Sequence, residues 1–194
     1  MRTFIFAISL AILITGCGQK ATFSGKVDKS PYATKECIKE LSRGKEIDAT
    51  NLVDKIVVYK SKRVLYAYRD GKKIYEFKVS MGKNWDKGPK VQAGDYKTPE
   101  GAYKIIRKKC DNRLYKSLLV SYPNAKDRAK SKSLGVRTGG YITIHGQPKW
   151  NADGRGDDYT LEHDWTEGCV AIPNKDLDKL WKSVRNGVSI DIKP

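Results

Sequence analysis

A chain of 194 residues, 39% hydrophobic and 31% charged, is long enough to bury one core without metal or crosslinks. Its 38 Lys and Arg against 22 Asp and Glu give a formal net charge of +16, with lysines spread along the whole chain. Such a surface attracts polyanions, but no nucleic-acid module and no interleaving of basic and aromatic residues accompanies it, so nucleic acid is excluded as the expected partner.

In chain order, the first element reads as an export signal. Arg2 supplies the positive start, and Phe4 to Ile14 is an unbroken run of 11 residues with a single Ser. That is too short for a bilayer span, which needs about 20 residues, and suits the core of a secretory signal. Ile14-Thr15-Gly16-Cys17 follows and resembles the bacterial lipobox. The expectation is that residues 1–16 are removed and Cys17 is lipidated, tethering a soluble domain to a membrane on the periplasmic side of the cell envelope. Gly18, where the sorting rule for inner-membrane retention wants Asp, favours the outer membrane. Residues 17–30 are small and polar and read as a tether, and 33–43 as a short helix ending at Gly44. The segment 17–51 thus precedes a domain over 52–194.

Within that domain the pattern is mainly β. Lys55–Lys60 and Arg63–Arg69 are rich in Val, Leu, Tyr and Ile, Asp70-Gly71 is a hairpin turn signal, and Lys73–Ser80 alternates as a strand does. Gly101–Lys108, Tyr115–Tyr122, Tyr141–His145 and Val188–Ile192 read as further strands. Leu177, Leu180, Trp181 and Val184 recur at helical spacing, predicting a helix over Asp176–Arg185 with Asn174 as N-cap and Gly187 as C-cap. A sandwich or barrel-like sheet with one late helix is the natural architecture. Four cysteines are present, at 17, 37, 110 and 169, with spacings that fit no zinc module. Cys37 and Cys110 fit either a disulfide in an oxidising compartment or two buried thiols. Either way Cys169 is left over, and a spare thiol outside the cytoplasm calls for a functional explanation.

Three segments carry candidate chemistry. Gly94-Asp95-Tyr96-Lys97-Thr98-Pro99-Glu100-Gly101 is by itself a turn before a strand. Ile142-Thr143-Ile144-His145-Gly146 ends an apolar strand on a histidine. Thr166-Glu167-Gly168-Cys169-Val170 places glycine directly before cysteine, where the backbone can approach a carbonyl closely.

Together, and in this order, these segments resemble the L,D-transpeptidase (YkuD-type) catalytic domain over roughly 52–194. Ser80-Met81-Gly82, Gly88-Pro89-Lys90 and Ser121-Tyr122-Pro123-Asn124 are similar to its YafK-like branch. The resemblance implies a peptidoglycan-modifying cysteine enzyme with no metal and no organic cofactor. Cys169 is then the nucleophile and His145 the base that later protonates the leaving amine. The Gly168 amide is an oxyanion donor, the Gly146 carbonyl orients His145, and Thr166, His163 and Trp165 bind substrate. The substrate implied is the stem peptide, attacked after the L-centre of its third residue. Two departures bear on this: Glu167 stands where most members have His, and Ala171 where most have Arg or Lys. A carboxylate pointing inward would raise the thiol pKa, so Glu167 is expected to point away. His163 is a second candidate base, and Gly154-Arg155-Gly156-Asp157-Asp158, in the long stretch between His145 and Cys169, reads as a flexible lid or rim. Two other functions compete: an endopeptidase or amidase that hydrolyses crosslinks or peptidoglycan–lipoprotein links, and a non-catalytic wall-binding lipoprotein.

Overall fold

A computed structural model describes residues 35–44 and 47–194. The signal segment, Cys17 and the 17–30 tether lie outside the described residues. Among the described residues the strands form one eight-stranded mixed sheet, curled like half a barrel, in the order β3-β2-β1-β8-β4-β5-β6-β7. The mainly β expectation therefore holds.

The first half of the sheet is a meander of β1 (Val53–Tyr59), β2 (Val64–Arg69) and β3 (Lys72–Lys78), with the Asp70-Gly71 turn between the last two. The last strand, β8 (Val184–Lys193), runs parallel to β1 and antiparallel to β4 (Gly101–Asp111). β4 joins the two halves. Gly101–Lys104 pair with β8, whereas Ile105–Asp111 pair with β5 (Tyr115–Val120) across a register shift at Ile105/Arg107. A bulge there bends the strand and raises its twist, which curls the sheet. β5 continues to β6 (Thr143–His145) and then, in parallel, to β7 (Val170–Ala171).

The core sits against this sheet. The late helix, α4 (Asn174–Ser183), buries Leu177, Leu180 and Trp181 among Ile105, Leu118, Ile144 and Ile190. Its C-terminal carbonyls need partners. Lys108 Nζ donates to Trp181 O (2.5 Å), and Lys116 is tied to Asp178 (2.6 Å). A disulfide joins Cys37 of α1 (Lys35–Arg43) to Cys110 of β4, resolving the alternative left open by the sequence.

Several boundaries differ from the sequence reading. α4 has Pro173 rather than Asn174 at its N-cap, with no side-chain cap. Asn174 is inside the helix because its amide is used elsewhere: its Oδ1 accepts from Gln147 N (2.8 Å) and its Nδ2 donates to Ala152 O (3.2 Å). Gly187 lies inside β8 rather than closing the helix, which passes directly into the strand at Val184. Two helices were not foreseen. α2 (Ala125–Ser133) lacks apolar periodicity but opens on a reciprocal cap between Asn124 and Asp127. α3 (Asp157–Glu162) occupies part of the expected flexible stretch. Asn151 orders that stretch, accepting from Gly156 N (2.6 Å) and donating to Asp157 Oδ1 (2.9 Å).

Candidate active site

The site is built by strand register. β6 and β7 pair in parallel with Ile144 opposite Val170 and His145 opposite Ala171. The residue before β7, Cys169, is therefore brought beside the start of β6. Thr143 N donates to Cys169 Sγ (3.4 Å), Thr143 Oγ1 approaches it at 3.6 Å, and the thiol can donate to Tyr141 O (3.7 Å). The His145 imidazole neighbours the same sulfur and favours its thiolate. Its Nδ1 lies 2.7 Å from Gly146 O. A carbonyl only accepts, so Nδ1 carries the proton and the remaining nitrogen, Nε2, is the acceptor of the ring.

These contacts set the chemistry of the sulfur. Burial pushes the Cys169 thiol up, but the neighbouring His145 ring and the two Thr143 donors outweigh it, leaving the thiol below its ordinary value. Cys169 is the free cysteine among the described residues, and it is partly exposed. It opens into a cleft of about 550 Å³ that is also lined by His145, Trp165, Glu167, Arg113 and Tyr141. A thiol with depressed pKa, an imidazole of fixed tautomer and an open approach make an arrangement suited to acyl transfer.

The loop before Cys169 is fixed from below. Thr166 Oγ1 donates to Cys169 O (2.7 Å) and accepts from Gly168 N (3.2 Å), closing a tight turn. Ser80 and Ala171 bond each other's backbones (2.9 and 2.8 Å), and Thr166 N donates to Met81 O (3.1 Å). Asp164 Oδ1 accepts from Met81 N (2.7 Å) and its Oδ2 from Trp85 Nε1 (2.6 Å) and Arg63. The turn needs glycine at 168: its φ is +127°, and a Cβ there would stand 2.5 Å from Lys97 O. The Thr98-Pro99-Glu100-Gly101 segment supports this floor. Buried Thr98 accepts from Gly82 N (3.0 Å), and Glu100 pairs with buried Lys60.

Not every expected site residue arrives as the sequence suggested. Cys169, His145, Gly146 and Trp165 converge; the Trp165 ring meets His145 edge-on at 5.4 Å between centroids. Thr166 lines the cleft, yet its hydroxyl is engaged inside the turn. The Gly168 amide is directed to that hydroxyl, so an oxyanion role for it requires this bond to be given up. His163 is outside the cleft lining, at the end of α3, with Nδ1 on Tyr159 O (2.9 Å) and its ring stacked on Tyr159 at 4.3 Å. Glu167 is exposed on the cleft wall, and Ala171 is fully buried in the β7 ladder. Sequence reasoning missed Thr143 and Tyr141, whose contacts come from register. It also missed Asp111, a buried residue of the cleft whose carboxylate accepts from the Arg113 and Leu114 amides (2.9 and 3.1 Å). Burial pushes Asp111 up, but those amides and the nearby charges of Lys109 and His145 hold it below the usual carboxylate range.

Residues 54–192 match the family model for the L,D-transpeptidase (YkuD) catalytic domain, and the chain belongs to that family. Among its relatives, YafK of Escherichia coli K12 is 28% identical over 189 residues, covering 92% of this chain and 63% of YafK, so the chain spans less than two thirds of that relative's length. Among solved structures, the helical cell shape determining protein Pgp2 from Campylobacter jejuni superposes with a TM-score of 0.56 at 28% identity. That match covers 80% of this chain and 56% of Pgp2. An L,D-transpeptidase from Stackebrandtia nassauensis shares the fold with a TM-score of 0.50 at 16% identity, covering 77% of this chain and 60% of its own.

Proposed function

We propose that the chain is a peptidoglycan-modifying cysteine L,D-transpeptidase that works through a thioester on Cys169. One observation carries the reading: His145, with Nδ1 held on Gly146 O, and the sulfur of Cys169 line the same open cleft, where the imidazole favours the thiolate. His145 Nε2 takes the thiol proton, and the thiolate attacks the peptide carbonyl that follows the L-centre of the third stem residue. The Cys169 amide meets the oxyanion, joined by Gly168 N–H once it releases Thr166. The carbon–nitrogen bond breaks as His145 returns the proton to the leaving amine, and the acyl group remains on sulfur. Arg113, exposed on the cleft wall, supplies the cation that Ala171 lacks and takes a substrate carboxylate. Attack on the thioester by a second amine completes transfer.

Export and lipidation at Cys17 belong to the same proposal. The Cys37–Cys110 disulfide supports an oxidising compartment, and a lipid anchor in the outer membrane would hold the domain on the periplasmic side, within reach of stem peptides.

Mass spectrometry after incubating the full-length protein with disaccharide-tetrapeptides tests the reading. An acyl adduct on Cys169 and crosslinked dimers are expected, both absent in Cys169→Ala and reduced about 10²- to 10⁴-fold in rate in His145→Ala. Shortened stems without dimers would favour the hydrolase, and the absence of any adduct would sink the enzyme reading.

A further inference from the structure

Core packing does not explain α2. The helix buries only Ser131 and carries Lys126, Arg128, Lys130 and Lys132. A helix without an apolar face is held by other means: here by the Asn124 cap, by Ser131 Oγ donating to Val91 O (2.5 Å), and by Arg128 on Pro123 O. From Lys104 to Tyr141 the chain has eleven Lys and Arg and two carboxylates, Asp111 and Asp127. Both carboxylates are committed, Asp111 to the amides of its own turn and Asp127 to Asn124 N (2.8 Å) and the Tyr103 hydroxyl (3.2 Å). Arg128, Lys132 and Arg137 line an open depression of about 920 Å³ that has no carboxylate in its wall.

This depression adjoins the nucleophile. Gly139, Gly140 and Tyr141 line it and also the cleft around Cys169. Tyr141 O accepts from Cys169 Sγ, and its backbone is left-handed (φ +61°), uncommon for a residue with a side chain. Its ring is 48% exposed, and its hydroxyl accepts from Lys109 Nζ (3.2 Å). Two depressions thus meet beside the sulfur, with one tyrosine between them.

The geometry points to a second substrate subsite: the groove of Arg128, Lys132 and Arg137 takes a carboxylate-bearing amine acceptor and delivers its amine past Tyr141 to the Cys169 thioester. The inference rests on the transfer reading above and names its acceptor as an acidic amine. In the step it serves, the neutral amine attacks the thioester carbonyl, a carbon–nitrogen bond forms and the carbon–sulfur bond breaks. The amine proton passes to His145 and from there to the Cys169 thiolate, restoring the thiol. Charge guidance at exposed cations is screened within about 10 Å at 0.1 M salt, so the acceptor step is salt-sensitive.

The test gives the full-length enzyme a tetrapeptide donor and one of two matched acceptor peptides, a free acid or its carboxamide. Cys169 acylation is followed by mass in the same samples. We expect the KM for the free acid to be at least about 10-fold below that for the amide, one factor of ten being about 1.4 kcal/mol. The double variant Lys132→Ala/Arg137→Ala, or 0.5 M salt, should erase the difference through KM rather than kcat. Lys72→Ala/Lys182→Ala removes the same charge from exposed positions elsewhere and should keep the preference. Equal use of acid and amide by the wild type overturns the inference, as does a preference that survives Lys132→Ala/Arg137→Ala or an acyl-enzyme that yields only to water. Failure of Cys169 to acylate at all is a different result, which removes the transfer reading and this subsite with it.

Discussion

At the residue scale, the sulfur of Cys169 is defined by the groups around it. Thr143 offers an amide and a hydroxyl, and His145 a ring whose tautomer is set by its own next-door carbonyl. These favour the thiolate over the thiol, so the thiolate persists to lower pH than in an ordinary cysteine, whose pKa is about 8.5. Alkylation of Cys169 by iodoacetamide should therefore inflect below that pH, and Thr143→Ala or His145→Ala should move the inflection upward. A wild-type profile that already inflects at the ordinary thiol value would contradict this account. Cys169 and His145 could be singled out in the sequence because their side chains and the motifs around them are themselves the signal. Thr143 and Tyr141 were not, since they act largely through backbone groups, and only strand register says which backbone group meets the sulfur. His163 is the opposite case: proximity in sequence suggested the cleft, while in the fold its ring lies on Tyr159 O at the helix end.

Elements deliver these residues, and their legibility follows their length and periodicity. The strands of the β1–β3 meander and α4 show apolar repeats of period two and 3.6, and both were read from pattern. β7 has only two residues and α2 no apolar stripe, so periodicity could not find them. The Asn124…Asp127 pair was the available sign of α2. Asn174 was misread because a helix-opening asparagine is usually a cap, whereas this one ties α4 to the backbone after His145. Its Oδ1 stands so close to Gly146 that any Cβ at 146 would collide with it. Asn174→Ala leaves the Gln147 amide without this acceptor, at a cost of about 1–3 kcal/mol. Denaturant unfolding should show that loss. Acylation should slow as well, because Gly146 is the residue that orients His145. Unchanged acylation in a destabilised Asn174→Ala protein would separate the helix contact from the chemistry.

At the scale of the whole molecule, the β4 bulge and the Cys37–Cys110 bond tie together parts far apart in the chain. The disulfide spans 73 residues, and in the chain-entropy account a loop of that size contributes about 4 kcal/mol. Cys37→Ala/Cys110→Ala should lower the unfolding free energy in urea by about 2–4 kcal/mol, the midpoint falling and the slope rising as the unlinked denatured chain expands, while Cys169 still acylates. A midpoint that does not move would show that the reduced chain has lost nothing. The parallel pairing of β6 with β7 has a consequence of its own. His145 ends β6 and Cys169 directly precedes β7, so what holds them near each other is the pairing of two strands roughly 4.8 Å apart and not the excursion of residues 146–168 between them. That excursion is free to lengthen, shrink or acquire new features in the course of descent, reshaping what enters the cleft while the reacting pair stays in place.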